Sequence, residues 1–213
     1  MREVANDDVR VFDLVKHRRK NALSTIVDSM NTAVHATTQT TGQITALGLA
    51  IDSTGAVGGL NQSTDGDWAA VETGSGAFSS QGLTDMNNTY NTIILNKANP
   101  DVIITTQTVY ELYENEIDPD VRYTVANLES GGRGFKTLQF KGKPIHFDKD
   151  CASGVMYFID LDHTFFLVDP DGDMRVSEFQ QPIDQLAFVA KAYWRGNLVI
   201  NKRDANGKMT SIS

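Results

Sequence analysis

The sequence predicts an α+β fold with helices early and strands late. Three observations carry that prediction. Residues from about Asp8 to His35 repeat apolar side chains at helical spacing. Beyond Gly131-Gly-Arg-Gly134 the chain breaks into short apolar runs separated by turn residues. Near the C-terminus Leu186, Phe188, Ala190, Ala192 and Trp194 alternate with Ala187, Val189, Lys191, Tyr193 and Arg195, the period of a strand with two unlike faces.

The first element is a long amphipathic helix opened by Asn6, Asp7 and Asp8, which suit a helix N-terminus as caps and dipole partners. Such a helix spans roughly 40 Å at 1.5 Å per residue. Placing residues every 100° puts Phe12, Val15, Ala22, Leu23, Ile26, Met30, Ala33 and Val34 on one face, with Arg19 in its middle. A cation centred on an apolar stripe must snorkel, find a carboxylate or sit at a seam between subunits, and Arg19 is the first interface candidate. The run Lys16-His17-Arg18-Arg19-Lys20 points in every direction around the helix. Solvated, locally paired side chains account for His17 and Lys20.

From Thr37 to Gly82 the chain is rich in Thr, Gly, Ser, Asn and Gln, which predicts loops with brief strands, a short apolar run at Ile44 to Ile51 and an anchor at Trp68. Gly74 to Gly82 reads as a linker, because no Lys-Ser or Lys-Thr follows its last glycine as a phosphate loop requires. Thr84 is the expected cap of a second helix carrying Met86, Tyr90, Ile93, Ile94 and Lys97, stopped by Asn99-Pro100. Residues 101–106 form a short buried strand, and Thr106 caps a third helix with Val109, Tyr110, Leu112 and Tyr113. That quick succession predicts a parallel or mixed sheet.

Further strands are expected over Phe135–Phe140, Pro144–Asp148, Val155–Leu161, Phe165–Val168 and Met174–Gln181, with hairpins at Lys141-Gly142-Lys143 and Asp171-Gly172. After the alternating stretch, Gly196-Asn197 interrupts and Leu198 to Asn201 resumes the strand. Asn206-Gly207 then offers the left-handed conformations of a closing hairpin.

At 213 residues and 23.4 kDa the chain can bury a full core as one large domain or two joined lobes. A hydrophobic fraction of 40% and a mean hydropathy of -0.28 predict a water-soluble globular chain, with no run of the roughly 20 apolar residues that a membrane helix needs. Met1-Arg-Glu-Val-Ala-Asn-Asp-Asp has no secretory apolar core. One cysteine, Cys151, excludes an internal disulfide, and a net charge of -8 disfavours a broad grip on nucleic acid.

Two clusters invite chemistry. Asp169-Pro-Asp-Gly-Asp173 places Asp169, Asp171 and Asp173 at alternate positions, but the calcium loop it suggests needs glycine sixth and glutamate twelfth, where Gly172 is fourth and Gln180 twelfth. A turn explains the same residues. His146, Asp148, Asp150 and Cys151 lie close in sequence, and on a strand His146, Asp148 and Asp150 share a face. Either cluster would serve a metal-dependent hydrolase, the alternative enzyme reading. His163 beside Asp162 suggests a triad only by chance proximity. No nucleophile elbow, His-Glu-x-x-His or Gly-x-Gly-x-x-Gly is present, so no catalytic residue, metal or cofactor is assigned.

Several stretches resemble the major capsid proteins of tailed bacteriophages in order and spacing. Asp13-Leu-Val-Lys-His-Arg-Arg-Lys-Asn-Ala-Leu resembles the spine helix. Gly58-Gly-Leu-Asn with Trp68, and Asn99-Pro-Asp-Val-Ile-Ile-Thr-Thr106 followed by Tyr110 to Tyr113, resemble the middle region. Gly134 through Asp148 and Trp194-Arg-Gly-Asn-Leu-Val resemble the return to the peripheral domain.

The resemblance implies the tailed-phage capsid fold, with a peripheral lobe of spine helix and long C-terminal strands and an axial lobe. Residues 1–60 would start the peripheral domain, 61–180 form the axial domain, and 181–213 return to the peripheral domain. It also implies a homo-oligomeric subunit of pentamers and hexamers enclosing DNA, made in the bacterial host cytoplasm, located in the virion, touching DNA only indirectly and no membrane. Encapsulin shells share the fold and are the alternative. Arg19, Trp194 and Arg195 are the expected seam residues. The family's N-terminal arm and extended loop have no counterpart before the helix, which suggests a shortened form, a processed fragment or a prophage remnant. The family's cross-linking lysine lies on that loop, so no cross-link is expected here.

Overall fold

The computed structural model describes residues 2–39, 42–117, 138–183, 186 and 188–213, with the side chains of its first helix described from Leu14 onward. Helix α1 (Arg2–Val34) starts earlier than the sequence suggests, because Arg2, Glu3 and Ala5 are good helix formers; Asn6, Asp7 and Asp8 lie inside it instead of capping it. There follow α2 (Leu47–Ala50), β1 (Ala56–Val57), β2 (Leu60–Asn61), β3 (Val71–Gly74), α3 (Leu83–Leu95), β4 (Val102–Thr105) and α4 (Gln107–Glu116). The remainder comprises β5 (Gln139–Phe140), β6 (Lys143–Phe147), β7 (Met156–Ile159), β8 (Thr164–Val168), β9 (Arg175–Val176), β10 (Ala192–Tyr193), β11 (Gly196–Ile200) and β12 (Gly207–Thr210).

The main sheet has six strands in the order β3-β12-β7-β4-β6-β5. It is mixed, as the strand-cap-helix succession predicts: β4 runs parallel to β6 and antiparallel to β7, and β12 runs parallel to β3 and antiparallel to β7. Period-two alternation builds two apolar layers from single strands. In the central strand β7, Met156 and Phe158 join Phe78, Met86, Ile93, Ile103 and Tyr113 beneath α3 and α4, while Tyr157 and Ile159 meet Leu47, Ile51, Leu198 and Ile200 on the other side. Burial of both faces fixes the register, since a slip of one residue would exchange the two layers.

Thr106 caps α4, its hydroxyl accepting from the Val109 N–H at 3.4 Å. Lys141 and Gly142, with φ of 50° and 79°, make the tight turn that joins β5 to β6. The Trp68 indole N–H donates to the Val57 carbonyl and anchors its loop. Of the expected strand over Phe135–Phe140, residues 135–137 lie outside those described, as does Gly131 to Gly134.

Elsewhere tertiary pairing overrides the local pattern. The apolar run at Ile44 to Ile51 contains one helical turn, α2, too short for periodicity to identify. Gly74 to Gly82 is no linker: Phe78 opens a π-helical turn over Phe78–Gly82, is buried in the core, and its N–H donates to the Ser213 carbonyl. That turn runs into α3, so Thr84 sits within the helix and not at its cap.

The C-terminal strands are shorter than the alternation suggests. Val189 bridges Gln180, β10 pairs with β9, and after Trp194 the chain changes partner so that β11 pairs with β8. Three steps take Ser177 to Gln180 where two take Lys191 to Val189, so an extra residue bulges the first arm and breaks the ladder. Asp171-Gly172 does not join β8 and β9 as a hairpin. Asn206-Gly207 is no hairpin turn either, since β11 and β12 belong to different sheets.

Candidate functional site

The second half of α1 lies on the core. Leu23, Ile26, Met30, Ala33 and Val34 are half-buried, and Val34 packs against the layer formed by Leu47 and Ile159. The first half does not. Leu14, Val15, Arg18, Arg19 and Ala22 are exposed, although Val15, Arg19 and Ala22 belong to the apolar face of the helix.

Asn31 ties the helix to the turn that follows β6. Its amide donates to Asp148 Oδ1 at 2.9 Å and to Asp150 Oδ2 at 2.8 Å. His35 follows one turn later, buried, with its Nδ1 lacking a partner among the described residues. These contacts absorb the cluster His146-Asp148-Asp150-Cys151: the two carboxylates face the helix amide, His146 is exposed, and Cys151 is buried. Burial, and then Asp148, push the Cys151 thiol up to about 12, so no thiolate nucleophile forms near neutrality.

The same junction predicts acid lability. Burial holds His35 below its ordinary 6.5, against the pull of Asp148 and Asp150. Asp148 lies below its ordinary 3.8: burial opposes ionisation, but hydrogen bonds from the Asp150 N–H and Asn31 and the charge of His35 outweigh it. As pH falls through 6.5 the unfolded chain binds a proton at His35 before the folded one does, so stability declines. Below 3.8 the Asp148 contribution, complete above that value, is lost in turn. Urea midpoints should therefore drop between pH 7.5 and 5.5, and His35→Leu should flatten that limb while keeping the part of the acid limb that the Asp150 N–H and Asn31 bonds to Asp148 supply. Equal pH slopes in both proteins would refute the assignment.

Arg19 is exposed on the rim of a cleft of about 350 Å³ between α1 and the β9–β10 lobe. Trp194 is half-buried and meets Phe166 edge-on, ring centroids 6.1 Å apart. Arg195 is exposed, pairs with Asp169 at 3.2 Å and lies 5.8 Å from the Tyr193 ring centre. Trp194 and Arg195 thus share the approach to β11, and no ion pair or hydrogen bond joins them to Arg19 among the described residues.

Large apolar side chains are exposed on β8 and in the stretch between β9 and β10. Phe165, Phe166 and Leu167 of β8 are exposed, as are Phe179 and Phe188, and Ile183 and Leu186 are completely bare. A second cleft of about 440 Å³ opens between Val27, Met30 and Val34 of α1, the sheet face at Ile104 and Ile159, and Phe165 and Phe166.

The Asp169–Asp173 turn is committed to arginine. Besides the Arg195 pair, Asp171 lies 3.4 Å from Arg175, and Asp169 accepts the Asp171 N–H. No group of three or more His, Cys, Asp or Glu among the described residues could hold a metal ion. His163 faces Asn201 at 2.8 Å and not a serine. No helix among the described residues is long and apolar enough to cross a membrane.

Two buried residues escaped sequence reasoning. Arg203 has no exposed surface, and its guanidinium donates to the carbonyls of Leu49, Ala50, Asp52, Thr54, Gly55 and Trp68, which shapes the whole loop. Lys208 projects from β12 to Asp52 at 2.5 Å and Glu72 at 3.6 Å. Glu72 is the register partner of Lys208 on β3 and Asp52 comes from the preceding loop, a pairing that nothing local to Lys208 announces.

This architecture is the tailed-phage capsid fold. In particular, the chain is similar to a chain of the cyanophage A-1(L) capsid asymmetric unit, with a TM-score of 0.68 and 17% identity, covering 94% of this chain and 69% of that one. A structure from Mycobacterium phage Adephagia matches with a TM-score of 0.54 and 15% identity over 94% of this chain and 65% of its own. The capsid of a native GTA particle matches at 0.53 and 12% identity over 89% and 64%. The chain therefore spans about two thirds of the length of these structures. No family model matches the sequence, and no characterised protein matches it.

Proposed function

We propose that this chain is a structural subunit of a bacteriophage or prophage shell, which self-assembles into pentamers and hexamers around packaged DNA and acts without turnover. One observation carries the reading: over nearly its whole length the chain shares its fold with phage capsid structures, yet it leaves large apolar side chains such as Phe165, Leu167, Phe179 and Phe188 uncovered. Exposed patches of this kind on a folded chain mark sites of association. Residues 1–60 and 181–213 would form the peripheral lobe, with β12 crossing into the axial sheet, and 61–180 the axial lobe. Arg19, Trp194 and Arg195 would lie at seams, the chain residing in the host cytoplasm before assembly and in the virion afterwards.

Metal-dependent hydrolysis by Asp169, Asp171 and Asp173, or by His146 and Asp148, is the weaker reading, because Asp169 and Asp171 already face arginines and Asp148 accepts from the Asn31 amide. Negative-stain electron microscopy of the purified chain across concentration and salt, with light scattering alongside, tests the proposal. Rings, sheets or shells are expected. A strict monomer at every concentration would remove self-assembly from this chain.

A further inference from the structure

We infer that the cleft between the first half of α1 and the β9–β10 lobe is a docking site for an acidic surface of a second copy of this chain, with Arg18 and Arg19 as its anchors. The inference rests on the shell-subunit reading and adds which surface makes a contact and with what chemistry.

The helical wall of the cleft is Val15, Arg18, Arg19 and Ala22, positions i, i+3, i+4 and i+7 of one stripe. Opposite stand Val176, Phe179, Ala190 and Ala192, with Ser177 the one polar side chain of that wall. The floor is thus small and apolar while the rim carries two guanidinium groups. Neither arginine, nor Lys16 or Lys20 beside them, makes an ion pair among the described residues, whereas Arg175 and Arg195 on the adjoining lobe both do.

That contrast identifies the partner's charge. A purely apolar segment closing the cleft would desolvate two unpaired cations, which costs more than its contacts return. A segment bearing carboxylates can meet each guanidinium through paired hydrogen bonds while its apolar side chains cover the floor. The chain itself carries the complementary charge: its net charge is -8 with this basic run counted. Nucleic acid fits less well, since phosphate contacts would leave the valine and alanine floor unused. A two-fold contact centred on the basic run would set like charges together, so the partner surface is a different patch of the neighbour. Repetition of such a head-to-tail contact makes a ring where its rotation closes and a filament where it does not.

The test is sedimentation velocity with light scattering on the full chain across sodium chloride concentrations, for wild type, R18E/R19E and R18K/R19K. Wild-type association should weaken as salt rises. The double reversal should weaken it by about tenfold or more, and the lysine pair by less. Melting temperatures taken at a dilution where wild type is monomeric should stay unchanged, because both side chains are exposed in the single chain. Carbodiimide coupling of mixed light and heavy isotope-labelled protein should join Lys16 or Lys20 to carboxylates of another copy.

If R18E/R19E forms the same rings or shells as wild type, the docking site is wrong and the shell reading stands. If wild type is monomeric under every condition, both fail. If duplex DNA binds in an Arg18- and Arg19-dependent way while self-association is untouched, the cleft belongs to nucleic acid and the inference is overturned.

Discussion

Arg203→Met is expected to cost about 3–5 kcal/mol of folding free energy, because several of the six carbonyls it holds become buried acceptors without donors at about 1–3 kcal/mol each. For a chain of this length that corresponds to a fall of roughly 10 °C in melting temperature. Arg203→Lys should recover little of it. A lysine retains the charge, but its single ammonium cannot reach carbonyls spread from Leu49 to Trp68. Urea unfolding measures the loss, and limited proteolysis locates it: cleavage should quicken within residues 52–68. A methionine variant within about 1 kcal/mol of wild type would show that the loop holds its shape without the guanidinium.

Asn206→Asp should cost about 2–4 kcal/mol, although a residue in a hairpin turn would accept that exchange almost freely. The Asn206 carbonyl oxygen accepts from the Asp160 N–H at 2.9 Å and the Thr164 hydroxyl at 3.0 Å, while its amide nitrogen donates to the Lys202 carbonyl at 3.3 Å. Aspartate keeps the acceptor and loses the donor, and as a fully buried group it must bear a charge or take up a proton. Its destabilisation should therefore shrink below pH 5. A pH-independent loss, or none, would contradict the bridging role.

Asn206 also shows where local reading stops. An Asn-Gly pair after a strand carries the signal of a hairpin turn, but here its backbone is extended and its amide links the β7–β8 turn to the start of β12. The elements that sequence located well have causes within a few residues: Thr106 capping α4, the Lys141-Gly142 turn, and the apolar repeat of α1. Those that it misplaced depend on distant partners. The alternation of Leu186 to Arg195 is real, yet one part of it is spent on β9, and the chain then turns to β8 for β11.

The candidate surface was half legible. An arginine on an apolar stripe pointed to Arg19, while the cleft beside it is formed by a lobe 150 and more residues later in the chain, which no periodicity of the helix reveals. Trp194 stands half-buried with its ring edge-on to the exposed Phe166, a contact made between β8 and the approach to β11 that the alternation around it does not reveal.

The position of β12 between β3 and β7 sets a timetable for the nascent polypeptide. Until residues 207–210 leave the ribosome, β3 has no neighbour in the sheet and β7 presents a bare edge on one side. The sheet thus knits only after β8 to β11 have been made, and a holdase or a slow codon usage before β12 would act on a species with open strand edges, the state most prone to pair with the wrong chain.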